Sequence, residues 1–527
     1  MAETVQVEIS NRIARMVGEY PRKKLLPFWS YSHPNWYFMR KKFAYFDPEA
    51  GEVKYRWDGL IEMIDHDDMM SAGLFWATRK DIEQKLGIKF KISGSLECPT
   101  TKKTGNIVSA EEWRFQNSCV EKMVKVSRFG GGLVVNATGT GKTRTAAMLF
   151  SRLSGRHCFV VDQLLLMEQA ITDLEKELGE KIGMVGNSKF DPQRVTVATV
   201  QTMHRHRNDG QFKRWTRELD TIIIDEIHEQ MNHRNFSVVE QIEPKAVYGL
   251  TATLQLKRKH VRVRAWALAG PVIYEFPLTK GQELGVLANG IAIQVKVGNH
   301  LRMEDQADMI AHLKSDSKAW GHFYNEMIVG NAYRNGVIES IIRKARDKGR
   351  FTAALVTRVE HLKQLADRIP DVPHRVMAGT FRGQHVDIKD RMTYKGKFEE
   401  GKIRVILANV VMKKGVSINR LDVVVDGAAG SNPNDPVQKF GRGIRLHEEK
   451  DGLIYFDISD HDSENKYNWF TKSAKRRAKA LKAAGIPVYK FYWGVNGTED
   501  ELWDFAEEKL QGVLSAKPIN ERTDYQR

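Results

Sequence analysis

Cysteine is nearly absent: the chain has three, Cys98, Cys119 and Cys158, among 527 residues. So small, odd and scattered a set excludes a disulfide framework and cannot build a zinc site alone. It points to a reducing cytoplasm, with the thiols packed as small apolar residues. Long apolar runs are missing too. No window approaches the roughly 18 uninterrupted apolar residues of a membrane span, so no membrane partner is expected. The opening MAETVQVEISNRIARMVGEY lacks the basic-then-apolar pattern of a secretory signal. No short-period repeat or low-complexity tract occurs, which excludes a repeat array. Acid is in deficit, with 66 Asp and Glu against 82 Lys and Arg, and the net charge of +16 favours a polyanionic partner.

The length is too great for one core, and three or four domains are expected. Residues 1–105 read as a small α+β domain. Its aromatic-dense stretch Phe28–Phe46 is punctuated by Pro27, Pro34 and Pro48. VKYRWDGLIEMI (53–64) reads as strand, turn at Asp58-Gly59, strand. Residues 78–86 read as a helix with Thr78 as N-cap and Gly87 just past its end. PTTKKTGN (99–106) reads as a linker. Beyond it, short apolar runs alternate with helical segments: LVV (133–135), CFVV (158–161), VTVAT (195–199), TIIID (221–225) and AVYGLT (246–251). A second series follows: AALVT (353–357), HRVMAG (374–379), IRVILAN (403–409), DVVVDGA (422–428) and GLIYFD (452–457). The pattern predicts an α/β chain with two successive parallel-sheet domains, at 106–280 and 281–460, then a basic helical extension over 461–527.

The run LVV feeds NATGTGKT (136–143), which opens a helix. Thr138, Gly139, Thr140 and Gly141 can turn backbone N–H groups onto phosphate oxygens at a helix N-terminus. Lys142 reaches the β- and γ-phosphates, and the Thr143 hydroxyl ligates Mg²⁺. The strict template has glycine where Asn136 stands. TIIIDEIHE (221–229) ends an apolar strand in two carboxylates: Asp225 to hold Mg²⁺, Glu226 to orient and deprotonate the attacking water. His228 and the hydroxyls of Thr251 and Thr253 in GLTATL (249–254) can pass the nucleotide state onward. Upstream, Gln116 can read an adenine edge, with Arg114 or Trp113 stacked on the base. ATP and Mg²⁺ are therefore the expected ligands.

Some three hundred residues later comes QKFGRGIR (438–445), in which Arg442 and Arg445 stand three apart, on one face of a predicted helix. With Gln438, these guanidinium groups suit the charge that builds on a transferring phosphoryl group. ANVVMKKGVSINRLD (408–422) supplies a turn at Gly415. In this order, NATGTGKT, DEIH, TAT, the GVS turn and QKFGRGIR resemble the motifs of superfamily 2 helicases of the DExH type, from about residue 110 to 460. A weaker likeness, in RWDGLIEMI and the Gly73-Leu74 step before a helix, is to the UvsW-type recombination helicases of tailed phages. In VVDQLLLMEQ (160–169), Asp162-Gln163 stands where the family often has Pro-Thr.

The resemblance implies two tandem RecA-like domains with ATP between them and a working monomer in the cytoplasm, that of an infected bacterium if phage-encoded. It also implies 3′-to-5′ movement and a role in recombination or repair on single-stranded and branched duplex DNA. RNA stays open as the polymer. So do an ATP-switched DNA-binding or annealing protein and the motor subunit of a restriction or defence complex. Expected nucleic-acid contacts are Thr199 and Gln201 in the first domain, and Lys413, Lys414, Gly415 and Ser417 in the second. Lys475, Arg476 and Lys479 join them on a basic helical face with Lys472 and Lys482. The N-terminal aromatics can stack on bases, although most are expected in that domain's core.

Overall fold

The computed structural model describes residues 3–10, 12–48, 52–102, 105, 107–252, 258–298, 319–409, 418–461 and 469–516. By its internal contacts the chain falls into two compact units. One holds residues 1–136 and 141–276; the other holds 277–527, with the short stretch 137–140 grouped with it.

The first unit is built on an eight-stranded sheet. Its strand order is Lys189–Asp191, Gly183–Gly186, Val195–Thr199, Arg156–Val161, Leu219–Ile224, Ala246–Thr251, Gly131–Asn136, Val272–Phe276. Only the first pair is antiparallel. Three of the central strands are buried at every position, which is why they read as continuous apolar runs rather than alternating ones. Strands Gly183–Gly186, Lys189–Asp191 and Val272–Phe276 escape such a reading because they are short or only partly buried.

In the same unit, residues 4–94 form a four-stranded sheet in the order Met69–Ser71, Ile13–Val17, Thr4–Ser10, Lys89–Gly94. Thr4–Ser10 and Ile13–Val17 bury every second residue, as half-covered strands do. The helix Ala72–Leu86 has its N-cap at Ser71, about two turns before the Thr78 that the sequence suggests. Ser71 is the N-cap and accepts from Gly73 N, while Thr78 lies buried mid-helix. The Thr78 hydroxyl donates to Leu74 O and accepts from Trp29 Nε1, so packing uses the group that composition marked as a cap. Gly87 closes the helix in the left-handed conformation. Strands Glu52–Tyr55 and Leu60–Glu62 exist but do not pair with each other. The first pairs with Ala44–Asp47 and the second with Ser30–Ser32. One hydrophobic cluster runs without a break from Val5 to Ala269. At its seam Gly73 approaches the backbone of Trp266 so closely that a Cβ would sit 2.5 Å from the carbonyl oxygen.

The second unit carries a seven-stranded, all-parallel sheet. Its order is His374–Met377, Val405–Ala408, Thr352–Leu355, Val423–Asp426, Leu453–His461, Gly290–Gly298, Val488–Tyr492. The five strands read from sequence are all present. The C-terminal extension is helical, over Trp469–Ala483 and Glu499–Ser515, and it also supplies an edge strand. Leu502, Trp503, Ala506 and Leu510 lie in the unit's core. Among the described residues no helix is long and apolar enough to cross a membrane.

Candidate nucleotide site

Strand Gly131–Asn136 ends at the loop that opens helix Lys142–Arg152. Gly139 (φ 88°) and Gly141 (φ 74°) take left-handed backbone, which only glycine adopts cheaply. Asn136 is the last strand residue, paired with Phe276 and wholly buried. It is not among the positive-φ residues, so glycine is not needed where the strict template places it. Thr140 is buried with its hydroxyl on Ala137 O at 2.7 Å; Thr138 is half-buried, and Thr143 half-buried on the first helical turn.

Strand Leu219–Ile224 delivers the carboxylates. Glu226 has left-handed backbone (φ 44°, ψ 50°), a costly conformation for a residue with a side chain. Lys142 Nζ lies 2.5 Å from Glu226 Oε1. Ala252 N donates to Glu226 Oε2, and His228 Nδ1 stands 3.6 Å from that same oxygen. His228 Nδ1 is also 2.8 Å from Thr251 Oγ1, so the two residues expected to pass the nucleotide state onward are in contact. Thr253 lies outside the described residues.

Burial pushes the Asp225 carboxyl up to about 6, with Lys142 opposing and the charge of Glu226 adding to the rise. Burial also pushes Glu226 up, but Lys142 and His228 outweigh it and hold the group below its usual range. Asp225 Oδ1 is buried with no hydrogen-bond partner among the described residues. A buried, ionisable oxygen left open in this way fits a hard divalent cation such as Mg²⁺.

Gln116 is 1% exposed and packs on the loop: a Cβ added at Gly141 would lie 2.5 Å from its amide nitrogen. Ser109, which the sequence reading passed over, donates to Gln116 Oε1 at 2.6 Å. Arg114 is exposed and paired with Glu111, while Trp113 leans on Phe115, itself stacked on Phe276.

In the second unit, helix Asn434–Gly443 carries Gln438, nearly buried, and Arg442, half-buried. The helix stops at Gly443, so Arg445 lies beyond its end and does not share a helical face with Arg442, contrary to the spacing argument. What ends the helix is legible only in space. Lys450 Nζ donates to Gly443 O and reaches Arg445 O, capping carbonyls the helix leaves open. Burial lowers the Lys450 ammonium to about 7 against the opposing fields of Asp422 and Glu399. Between Gln438 and Arg442, Lys439 is buried and donates to Asp426 Oδ1 at 2.6 Å, and Tyr455 donates to Asp426 Oδ2 at 2.5 Å.

Residues 109–256 match the sequence family described as type III restriction enzyme, res subunit. The chain resembles the superfamily 2 helicases. A provisionally assigned ATP-dependent RNA helicase, L396 of Acanthamoeba polyphaga mimivirus, is 24% identical over 76% of this chain and 74% of its own. The DNA 3′-5′ translocase XPB2 of Sulfurisphaera tokodaii is 21% identical over 71% of this chain and 86% of its own. Among solved structures, Saccharomyces cerevisiae Dbp5, bound to RNA and ADP BeF3, shares the fold at a TM-score of 0.52. It covers 77% of this chain and 97% of its own, at 14% identity.

Of the helicase-type nucleic-acid contacts expected from sequence, Gln201 is exposed and donates to Asp162 Oδ1 at 3.1 Å, which gives the atypical Asp162 a local partner. Thr199 is 3% exposed with its hydroxyl on Thr202, so its side chain is spent inside the fold. Lys413, Lys414, Gly415 and Ser417 lie outside the described residues. Lys472, Lys475, Arg476, Lys479 and Lys482 are all exposed on helix Trp469–Ala483, with Phe470, Ala474 and Leu481 buried behind them. Arg477, in the middle of that basic run, turns inward. Its guanidinium donates to Asp457 and to Gly430 O, and no local pattern marks it off from Arg476.

Proposed function

We propose that the chain is an ATP-dependent DNA helicase or translocase that moves 3′ to 5′ on branched or forked DNA. The observation that carries the ATPase reading is the meeting of Lys142 with Glu226 beside the open oxygen of Asp225. In this reading Lys142 leaves Glu226 for the phosphate oxygens. Glu226, thereby released, takes the proton of the attacking water. Asp225 and Thr143 hold Mg²⁺, which supplies charge screening of the phosphates when bound. Gln116 and the stretch 138–141 seat the nucleotide, with Arg114 at its margin. Arg442 and Arg445, with Gln438, stabilise the charge that develops when the two domains close, and His228 and Thr251 pass the state of the site to the strand ends. The preference for DNA and the polarity are supported by the similarity to a DNA 3′-5′ translocase, and a polyanionic partner by the net charge.

Lys142→Ala is expected to lower nucleic-acid-stimulated ATPase about a hundredfold or more. Stimulated hydrolysis that survives this change would remove the site assignment. Unwinding of fork, Holliday-junction and tailed duplexes, in DNA and RNA versions, separates the DNA reading from an RNA helicase, which the similarity to L396 favours. The match over 109–256 favours a further reading, a restriction-complex motor, in which DNA cleavage appears only on adding a nuclease partner.

A further inference from the structure

Residues 36–57 hold eight aromatics in 22 positions, Trp36, Tyr37, Phe38, Phe43, Tyr45, Phe46, Tyr55 and Trp57, in a chain that is 9% aromatic. A core accounts for only part of this excess. Trp36, Phe43 and Trp57 meet edge-on or tilted at 5.2–6.0 Å, and His33 lies 5.9 Å from Trp57. Tyr37 is 67% exposed, and Tyr45 and Tyr55 are exposed as well. Tyr37 already carries a cation on its ring, with the Arg40 guanidinium 4.3 Å from the centroid. Lys41, Lys42 and Arg56 are exposed alongside.

The hairpin Ala44–Asp47/Glu52–Tyr55 sets the rings on two faces. Tyr45 is opposite Lys54, and Ala44 opposite Tyr55, in an antiparallel register. Successive residues alternate sides, so Tyr45 and Lys54 share one face. Tyr55 takes the other, edge-on to Trp36 at 5.6 Å. A two-stranded ribbon is marginal unless it is mounted on something. Here Tyr55 at its end and Phe43 just before it pack on Trp36, and Phe43 also on Trp57. The separate ribbon Ser30–Ser32/Leu60–Glu62, between whose strands this segment lies in the chain, is held by Tyr31, whose hydroxyl accepts from the buried Arg264 at 2.8 Å.

We propose that this lobe is a stacking platform for unpaired nucleotides, with bases on Tyr37 and Tyr45 and phosphates on Lys41, Lys42 and Arg56. Exposed rings offer every base a face, and interleaved cations match the backbone charge. The inference rests on the reading of the chain as a nucleic-acid motor and adds where unpaired strand is gripped.

The test uses the whole chain with fluorescein-labelled oligothymidylate and oligouridylate as separate probes. Tyr37→Ala combined with Tyr45→Ala is expected to raise Kd roughly tenfold or more. Tyr37→Phe with Tyr45→Phe, which keeps the rings, is expected to bind as wild type does. Lys41→Ala with Lys42→Ala is expected to reduce the slope of log Kd against log salt by roughly 1.4. Equal melting temperatures would show that the fold is kept. Wild-type Kd and salt slope in the alanine variants, while the oligonucleotide still stimulates wild-type ATPase, would overturn the platform. Failure of both probes to bind and to stimulate the wild type would instead overturn the motor reading. Loss with one probe only would assign the platform to DNA or to RNA.

Discussion

Asp225 and Glu226 are neighbours with opposite charge behaviour. Asp225, held at about 6 rather than the ordinary 3.8, binds its proton more tightly folded than unfolded. Its contribution is therefore fully present below 3.8, falls away as pH rises from there, and is gone once pH has passed about 6. Asp225→Asn is expected to raise the melting temperature at pH 8 and to leave it nearly unchanged only below the ordinary carboxylate value of 3.8. The same titration governs metal: Mg²⁺-dependent binding of a fluorescent nucleotide is expected to strengthen as pH rises through 6, and the Asn variant to flatten that profile. Glu226 runs the other way, since its stabilisation by Lys142 is present at neutral pH and fades as acid reaches its depressed value. NATGTGKT and DEIH were legible because each packs its chemistry into a few consecutive residues at a strand end. The position of Arg445 off the helix and the cap from Lys450 were not, because a helix that stops at Gly443 and a lysine that caps it leave no periodic trace.

Helix Trp469–Ala483 separates two roles that look alike in sequence. Its exposed lysines and Arg476 are solvated, whereas Arg477 and Asp457 are 2% and 1% exposed and joined by hydrogen bonds. Arg477→Met leaves Asp457 buried without its cation and is expected to cost about 3–5 kcal/mol, read as a fall in melting temperature. Lys475→Glu, Arg476→Glu and Lys479→Glu together are expected to change stability by about 0.5 kcal/mol or less each. They should instead weaken nucleic-acid binding and flatten its salt dependence. Ten of the parallel strands announce themselves as apolar runs, whereas Gly290–Gly298, buried and central, is interrupted by Gln294 and Lys296 and is not legible as one. Helix starts are harder to read. Ser71 and Thr78 are both good caps by composition, and burial of Thr78 beside Trp29 decides between them.

At the scale of the molecule, the C-terminal segment is part of the second unit's architecture. Val488–Tyr492 pairs along Gly290–Gly298, and Trp503 is fully buried against Phe456. Cutting the chain after residue 485, as a basic tail would invite, exposes an apolar strand edge and empties part of the core. The truncated protein is expected to appear in the insoluble fraction, measured by partition after expression. The resemblance to helicases was legible because its motifs fall in the right order. The edge strand was not, because its burial is only partial.

The placement of Gly290–Gly298 has a consequence for synthesis. It is the earliest strand of its sheet in chain order, yet both neighbours, Leu453–His461 and Val488–Tyr492, are made much later. As the chain leaves the ribosome, the eight-stranded sheet has all its strands by residue 276. The apolar strand at 290 must wait unpaired until translation has passed residue 461, and its second edge stays open until residue 492 is made. The first unit can thus mature while the second is still being written, and that interval is when the nascent protein is most exposed to aggregation.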